Sequence, residues 1–230
     1  MRVFHGTSAQ NLNDILQRGI QPRGEAVGNW PDLPSAPDHV YLTTAYPLWY
    51  AYSSIDATAY AMDMALLLEV ETDGLGEGKF YPDEDFLCQY PYYCALKGTG
   101  DPKNWSLEPT RMRRHWARSL AMSGNMAYRG TVPPSFIRRY ALVNVHTAAD
   151  LVDACYDGPI NISLYQARQE KYEPLMRLIF DGVPLPNYQM PPELSEADRR
   201  AAEAVIWDEE RRQKIMSART WGVQVVTLAA

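Results

Sequence analysis

Apolar residues near the start of the chain follow the spacing of a strand and then that of a helix. Residues 2–5 predict a short buried strand, and apolar positions within residues 12–16 recur at helical spacing. Between them, Thr7 is a candidate N-cap with Gln10 as its capping-box partner, and Gly19 is a stop signal. The sequence therefore predicts a strand, a tight turn and a helix of about ten residues.

The following region alternates predicted elements with two long loops. Residues 40–43 and 65–71 predict buried strands, and the Ala-, Tyr- and Met-rich residues 46–63 between them predict a helix. Residues 21–38 are rich in proline and glycine and predict an irregular loop, which in a compact domain often covers a site. Residues 75–105 predict a second loop.

The later part of the chain supplies further strands and then becomes helical. Residues 109–122 predict a helix, and residues 125–128 and 136–145 predict strands on either side of a turn. The predicted fold class is α+β, with a small mixed or antiparallel sheet, helices and a helical C-terminal portion. The remaining predicted elements are helices at 147–155, 162–180 and 195–218 and a strand at 222–228, which we expect to return to the main sheet.

Composition and charge narrow the class of protein. The chain has 230 residues, 46% of them hydrophobic, and its net charge of -6 argues against nucleic-acid binding by bulk electrostatics. Cys88, Cys94 and Cys155 lack metal-ligand spacing, which favours a reducing compartment over a disulfide framework or a zinc site. The first residues lack the apolar core of a signal peptide, and no apolar run approaches ~20 residues, so a cytoplasmic protein without a membrane partner is expected.

Two short segments bring together residues that bind ligands in other proteins. Phe4-His5-Gly6-Thr7-Ser8 places a histidine at a strand end before a glycine, where a ligand can approach the backbone closely. Val40-Tyr41-Leu42-Thr43-Thr44 is a second short strand, and Tyr52 lies eleven residues beyond Tyr41. Each residue also has an ordinary interpretation, as a packed or capping histidine or as a core tyrosine.

Together and in this order, these segments resemble the poly(ADP-ribose) polymerase branch of the ADP-ribosyltransferase superfamily. The later residues 125–137 look like the closing strand and turn of that fold, and are also similar to a turn of the tRNA 2′-phosphotransferases, which share the fold and use NAD⁺. The resemblance implies a split-sheet, NAD-binding core over residues 1–146. Residues 147–230 then form a mostly helical extension with a final strand, packed on the core.

The resemblance also implies a role for each matching residue. His5 would hydrogen-bond the NAD⁺ ribose, and the Gly6 backbone would hold the nicotinamide carboxamide. Tyr41 would form one wall of the nicotinamide pocket, and Tyr52 would stack on the ring from the other side. The remaining expected cofactor-binding residues are Thr7, Thr43, Thr44 and Arg23, the last from its charge and its place in the first loop.

The sequence departs from the polymerase pattern at one position. Where the polymerases carry a glutamate in the late strand, the nearest match is Asn125, which is a candidate catalytic residue. Arg118 and Arg129 are candidates for an arginine-based alternative, as in the phosphotransferases. Glu84, within the acidic cluster 83–85, is a candidate carboxylate, although a solvated acidic turn is the expected state of that cluster. Tyr41 favours the transferase branch, because phosphotransferases usually have histidine there.

Three functions follow from these residues. The leading one is transfer of ADP-ribose from NAD⁺ to a macromolecular acceptor (protein, RNA or DNA) with release of nicotinamide and without a metal. The alternatives are an NAD⁺-using RNA 2′-phosphotransferase and a non-catalytic NAD⁺- or ADP-ribose-binding module. The helices beyond residue 147 are a possible surface for a protein partner, and toxin, phage or defence-related and housekeeping roles all stay open, because fold does not decide among them.

Overall fold

The computed structural model of the protein describes residues 1–26, 36–55, 64–83, 115–155, 173–185 and 209–228. Within these ranges the chain is α+β, as predicted, with seven strands in one sheet. The strands are β1 (Arg2–Ser8), β2 (His39–Thr43), β3 (Met64–Glu71), β4 (Phe80–Pro82), β5 (Asn125–Arg129), β6 (Ile137–Asn144) and β7 (Val223–Thr227). The helices are α1 (Leu12–Arg18), α2 (Pro47–Ser53), α3 (Trp116–Ser123), α4 (Val145–Cys155), α5 (173–181) and α6 (Glu209–Gly222).

The strand order is β4-β5-β2-β1-β3-β6-β7, and every pairing is antiparallel. The interior strand β3 is apolar on both faces over residues 65–68 because each face meets a hydrophobic cluster. Leu66 and Leu68 join one cluster, which includes Ile15 of α1, while Leu67 between them joins the other, which includes Leu48 of α2. The final strand β7 pairs with β6, as the sequence predicts.

The beginning of the chain differs from the prediction by a few residues. β1 extends to Ser8 because β3 pairs with it along its whole length, from Arg2 opposite Glu71 to Ser8 opposite Ala65. The prediction that Thr7 is the N-cap is therefore wrong. The Ser8 hydroxyl accepts a hydrogen bond from the Gln10 backbone N–H at 3.1 Å and caps the short 3-10 turn that leads into α1.

Two further predictions were incorrect in extent. The helix predicted to reach residue 63 ends at Ser53, and residues 56–63 lie outside the described residues. The loop predicted over residues 75–105 contains β4, which is too short to show an alternating pattern and is held by β5 through Phe80 opposite Tyr128. None of the helices in the described part of the chain is long and apolar enough to cross a membrane.

Candidate functional site

The sheet is joined at its middle by a very short ladder. β1 pairs with β3 at seven positions but with β2 at one, Phe4 opposite Thr43. We call this junction between β1 and β2 the seam. A side chain makes the next link across it, since the His5 ring places Nδ1 2.9 Å from the Tyr41 carbonyl oxygen. The two residues singled out on separate strands are thus in direct contact.

The contact with a carbonyl fixes the protonation of the His5 ring. A carbonyl can only accept, so Nδ1 carries the hydrogen and donates it to Tyr41. Burial lowers the pKa of His5 below its ordinary value, against a smaller opposite effect of this hydrogen bond. The ring is therefore neutral near pH 7, which leaves Nε2 as an acceptor. A ligand group that binds Nε2 must be a donor, such as a hydroxyl.

Gly6 is required by helix packing. A Cβ built on Gly6 would lie 1.8 Å from the Pro47 carbonyl oxygen and 2.8 Å from the Ala51 backbone nitrogen. Helix α2 therefore rests directly on β1 at this residue. The same helix carries Tyr52, which is half-buried against the hydrophobic cluster that contains Leu48.

The polar groups of β2 are engaged with neighbouring backbone. Tyr41 is half-buried, and its hydroxyl accepts a hydrogen bond from the Ala36 N–H at 2.8 Å. Thr43 is buried, and its hydroxyl donates to the Gly124 carbonyl at 2.8 Å and accepts from the backbone N–H groups of Ala45 and Tyr46. Thr43 thus fixes the turn into α2, a structural role that the sequence did not indicate.

Asn125 is held tightly by its main chain but not by its side chain. The Ser119 hydroxyl donates to the Asn125 carbonyl at 2.8 Å, and the Asn125 N–H donates to the Ser123 hydroxyl at 3.3 Å. Asn125 is 8% exposed, yet its Oδ1 atom is buried without a hydrogen-bond partner among the described residues. Leaving a buried acceptor unpaired costs about 1–3 kcal/mol, so this atom calls for an explanation.

Asp83 lies beside Asn125. The β4–β5 register ends at Pro82 opposite Met126, so the next residue of each strand, Asp83 and Asn125, are neighbours. The Asp83 N–H donates to the Ser119 hydroxyl at 3.0 Å, the same hydroxyl that holds the Asn125 carbonyl. Asp83 is 6% exposed, so the expectation of a solvated acidic turn is wrong for this residue. Glu84 lies outside the described residues.

Alternation along β2, β4 and β5 places polar residues on one face of this half of the sheet. Val40, Leu42 and Met126 point into the hydrophobic cluster on the opposite face. The residues between them occupy the other face and are mostly buried despite their polarity. This polar face consists of His39, Tyr41, Thr43, Tyr81, Asp83, Asn125 and Arg129, with the small apolar Ala127 between Asn125 and Arg129.

A second group of contacting side chains lies at the end of the polar face that is opposite to Asn125. The Asp38 carboxylate is 2.7 Å from His39 Nδ1 and 2.9 Å from Arg129 Nε, and the Tyr81 ring meets the His39 ring edge-on. A hydrogen bond with Tyr81 and the charge of Asp38 raise the pKa of Arg129. The charge of Arg129 is therefore engaged at this end of the face.

Three other predicted residues make local contacts with neighbouring residues. Arg118 is exposed on α3, whose inner face carries Ser119, and its Nε lies 3.5 Å from the Met122 sulfur. Arg23 donates to the carbonyls of Gly24 and Ala26, at 3.1 and 2.6 Å, and so braces its own loop. Thr7 accepts a hydrogen bond from the Asn11 side chain at 2.8 Å.

A cavity of about 630 Å³ opens between β1, α3 and α5. Thr44 is the one predicted site residue on its wall, and its backbone N–H donates to the Gly124 carbonyl at 2.8 Å. His5, Tyr41 and Asn125 do not line this cavity. The other main lining residues are Arg2, Phe4, Trp116, Leu120, Glu173 and Arg177.

Sequence analysis missed Ser119, which organises the polar face together with Ser123. Ser119 and Ser123 are four residues apart on α3, and this spacing places both hydroxyls on the side of the helix that meets β5. That spacing was the available signal, but serines at helical positions carry it only weakly. Neither serine could be connected to Asp83 without the fold.

Comparison with known proteins adds little to this geometry. No family model and no curated protein matches the chain. Among solved structures, the chain is similar to one named EcPltA, with 13% sequence identity, a TM-score of 0.35, and coverage of 62% of this chain and 75% of that chain. A likeness this weak carries no argument about residues or chemistry, so the site is interpreted from its own contacts.

Proposed function

We propose that this protein is an NAD⁺-dependent ADP-ribosyltransferase that releases nicotinamide and transfers ADP-ribose to a macromolecular acceptor in the cytoplasm. One observation carries the proposal. The three segments that resemble the superfamily lie on β1, β2 and β5, which are neighbours in the sheet, and His5 and Tyr41 touch across the seam. Residues far apart in sequence are thus close together in the sheet, and this supports the proposal.

Cleavage of the bond between the ribose and nicotinamide requires little general acid or base catalysis. The bond between the ribose and nicotinamide carries a cationic leaving group, and its electron pair departs with the ring. The transition state resembles an oxocarbenium ion, as in glycoside hydrolysis. The protein therefore has to orient the ribose, pack the ring and stabilise the developing charge. We assign His5 Nε2 to a ribose hydroxyl and Tyr41 to the wall beside the ring.

Asn125 sets a limit on this chemistry. An amide can hold a hydroxyl through its oxygen or its nitrogen, but it does not take a proton near pH 7. The acceptor nucleophile must then lose its proton to another group or to water. The proposal therefore predicts transfer that depends on the acidity of the acceptor.

The test is an incubation of the protein with labelled NAD⁺ and candidate protein, RNA and DNA acceptors, following nicotinamide release and label transfer. We expect both with the wild type, and a fall on the order of 10²-fold in His5→Ala and Tyr41→Ala, since each removes a positioned contact. His146→Ala, at an exposed histidine of α4, is the matched control and should keep its rate.

Other outcomes would replace the proposal. Near-wild-type rates in His5→Ala or Tyr41→Ala would contradict the site. Removal of a 2′-phosphate from RNA would identify a phosphotransferase, and NAD⁺ binding without turnover would identify a binding module.

A further inference from the structure

The two edges of the sheet are built differently. The edge strand β4 has three residues and ends in Pro82, which has no backbone N–H to donate. The opposite edge strand β7 has five residues, and its pairing with β6 continues beyond Thr227, since the Leu228 N–H donates to the Arg138 carbonyl at 3.0 Å. Among the strands that the structure describes, none pairs with the outer side of β7.

The edge at β7 lacks the features that usually protect an edge strand. Such a strand offers backbone N–H and C=O groups to any other chain, and proteins guard it with a charge, a proline, a bulge or a very short length. Strand β4 has two of these features, its length and its proline. Residues 223–228 read Val-Gln-Val-Val-Thr-Leu, without charge or proline, and the β6–β7 register runs without a shift. The edge at β7 is therefore open to pairing.

The two faces of β7 differ in what covers them. Val223 and Val225 pack against the hydrophobic cluster that includes Ile215 of α6, and this packing holds the strand in place. On the opposite face, Gln224 is exposed and Val226 is half-buried. The neighbouring half-buried apolar residues on that face are Tyr140, Leu142 and Leu228. A strand added at this edge would cover part of this apolar surface as well as the edge itself.

The chemistry of the edge favours a second copy of this chain as the added strand. A charged edge selects a partner of opposite charge, whereas residues 223–228 can lie opposite themselves without bringing two like charges together. In the antiparallel register that pairs all five residues of β7, Val225 lies opposite Val225 of the second copy, and Gln224 lies opposite Val226. This register has two-fold symmetry, as most homodimers do.

We infer that β7 is a dimerisation edge, at which two copies of this chain pair antiparallel and join their sheets into one. The two-fold axis passes between the two Val225 residues, perpendicular to the sheet, so the helices of both copies lie on the same face. A five-residue ladder buries little surface, so the dimer belongs to the weak class, with a dissociation constant on the order of 1–100 µM. This inference is independent of the proposed function.

Sedimentation equilibrium across that concentration range tests the inference. The wild type should shift from monomer to dimer as its concentration rises. The double variant Gln224→Lys, Thr227→Lys places cations on both strands of the ladder and should raise the dissociation constant about 10-fold or more. The matched control is Asn13→Lys, Gln17→Lys, which adds the same charge on α1 and should dimerise as the wild type does. All four residues are exposed, so both variants should keep the thermal midpoint of the wild type.

Amide hydrogen exchange of the wild type locates the interface. Protection should rise with protein concentration at residues 223–227 and stay constant in β4. Because this measurement uses the wild type, it decides the matter even where the edge variant loses stability.

Three results would overturn the inference. The first is a wild type that stays monomeric across the range. The second is a dimer that leaves exchange in β7 unchanged, since it would form elsewhere. The third is an edge variant that is folded and dimerises as tightly as the control.

Discussion

Strands β3 and β6 send apolar side chains to both faces of the sheet, whereas β2, β4 and β5 send apolar side chains to one face and polar side chains to the other. In β3, Leu66, Leu67 and Leu68 are all fully buried. In β5, the corresponding alternation places Met126 in the core and Asn125 on the polar face. We call β3 and β6 the apolar half of the sheet and β2, β4 and β5 the polar half. Only the apolar half gains stability from hydrophobic packing on both faces.

The difference shows which half of the sheet gains more stability from burial. Burying a polar group is unfavourable unless it is paired, so the polar face weakens the half that carries it. The apolar half, with α2, α4, α5 and α6 against it, compensates through one large cluster that includes Leu67, Leu151, Leu175 and Ile215. Substitutions in the two halves should therefore have different signatures.

The largest effect is expected at the seam between the halves. Gly6→Ala would place a Cβ 1.8 Å from the Pro47 carbonyl oxygen, and backbone cannot yield as a side chain can. Helix α2 would have to shift away from β1, and because the clash is with backbone we expect a loss in the free energy of unfolding above the range of about 1–3 kcal/mol that is typical of overpacking. Gly76→Ala, where a Cβ meets nothing within 4 Å, is the control. Equal denaturation midpoints for the two variants would contradict the packing described.

Leu67→Ala should produce the next largest effect, confined to stability. The side chain is fully buried in the apolar half, so its truncation should lower the free energy of unfolding by about 2–5 kcal/mol in urea denaturation. NAD⁺ affinity, measured where the variant is still folded, should match the wild type. A loss of affinity with little loss of stability would erase the distinction between the halves.

The polar half should make stability depend on pH. Burial lowers the pKa of His39 below 6.5, although the charge of Asp38 opposes this, and burial lowers that of His5 as well. The unfolded chain therefore binds more protons than the folded chain, so stability is full above about pH 6.5 and falls as the pH drops below it. The loss should approach about 1.4 kcal/mol per pH unit for each histidine.

Urea denaturation at about pH 7.5 and about pH 5.5 measures this dependence, and His39→Gln should show a shallower one. An identical pH dependence in His39→Gln and the wild type would show that His39 does not contribute.

The smallest effect is expected from Arg129→Gln. Arg129 and Asp38 form an ion pair whose side chains are 47% and 49% exposed, and such pairs contribute less than about 1 kcal/mol. The free energy of unfolding should change within that range, and the change should shrink further at high salt. A larger loss of unfolding free energy would mean that the Arg129–Tyr81 contact contributes substantially to the stability of the polar half.

The sequence by itself determined the α+β class and most of the elements. The strands β2, β3, β5 and β6 follow from apolar runs that end at local turn signals, and the stop of α1 follows from Gly19, whose φ of 84° favours glycine. The sequence also indicated His5, Tyr41 and Asn125 as candidate site residues. They stand within short segments whose order along the chain can be compared directly with that of a known family.

Only the tertiary structure decided the strand order, the seam and the surroundings of Asp83. Each depends on contacts between residues far apart in the chain: Gly6 against Pro47, His5 against Tyr41, and Ser119 against both Asp83 and Asn125. Local spacing carries the period of a strand or helix, but not which distant residue supplies a hydrogen-bond partner. For that reason an acidic cluster that looked solvated in the sequence begins with a buried carboxylate in the fold.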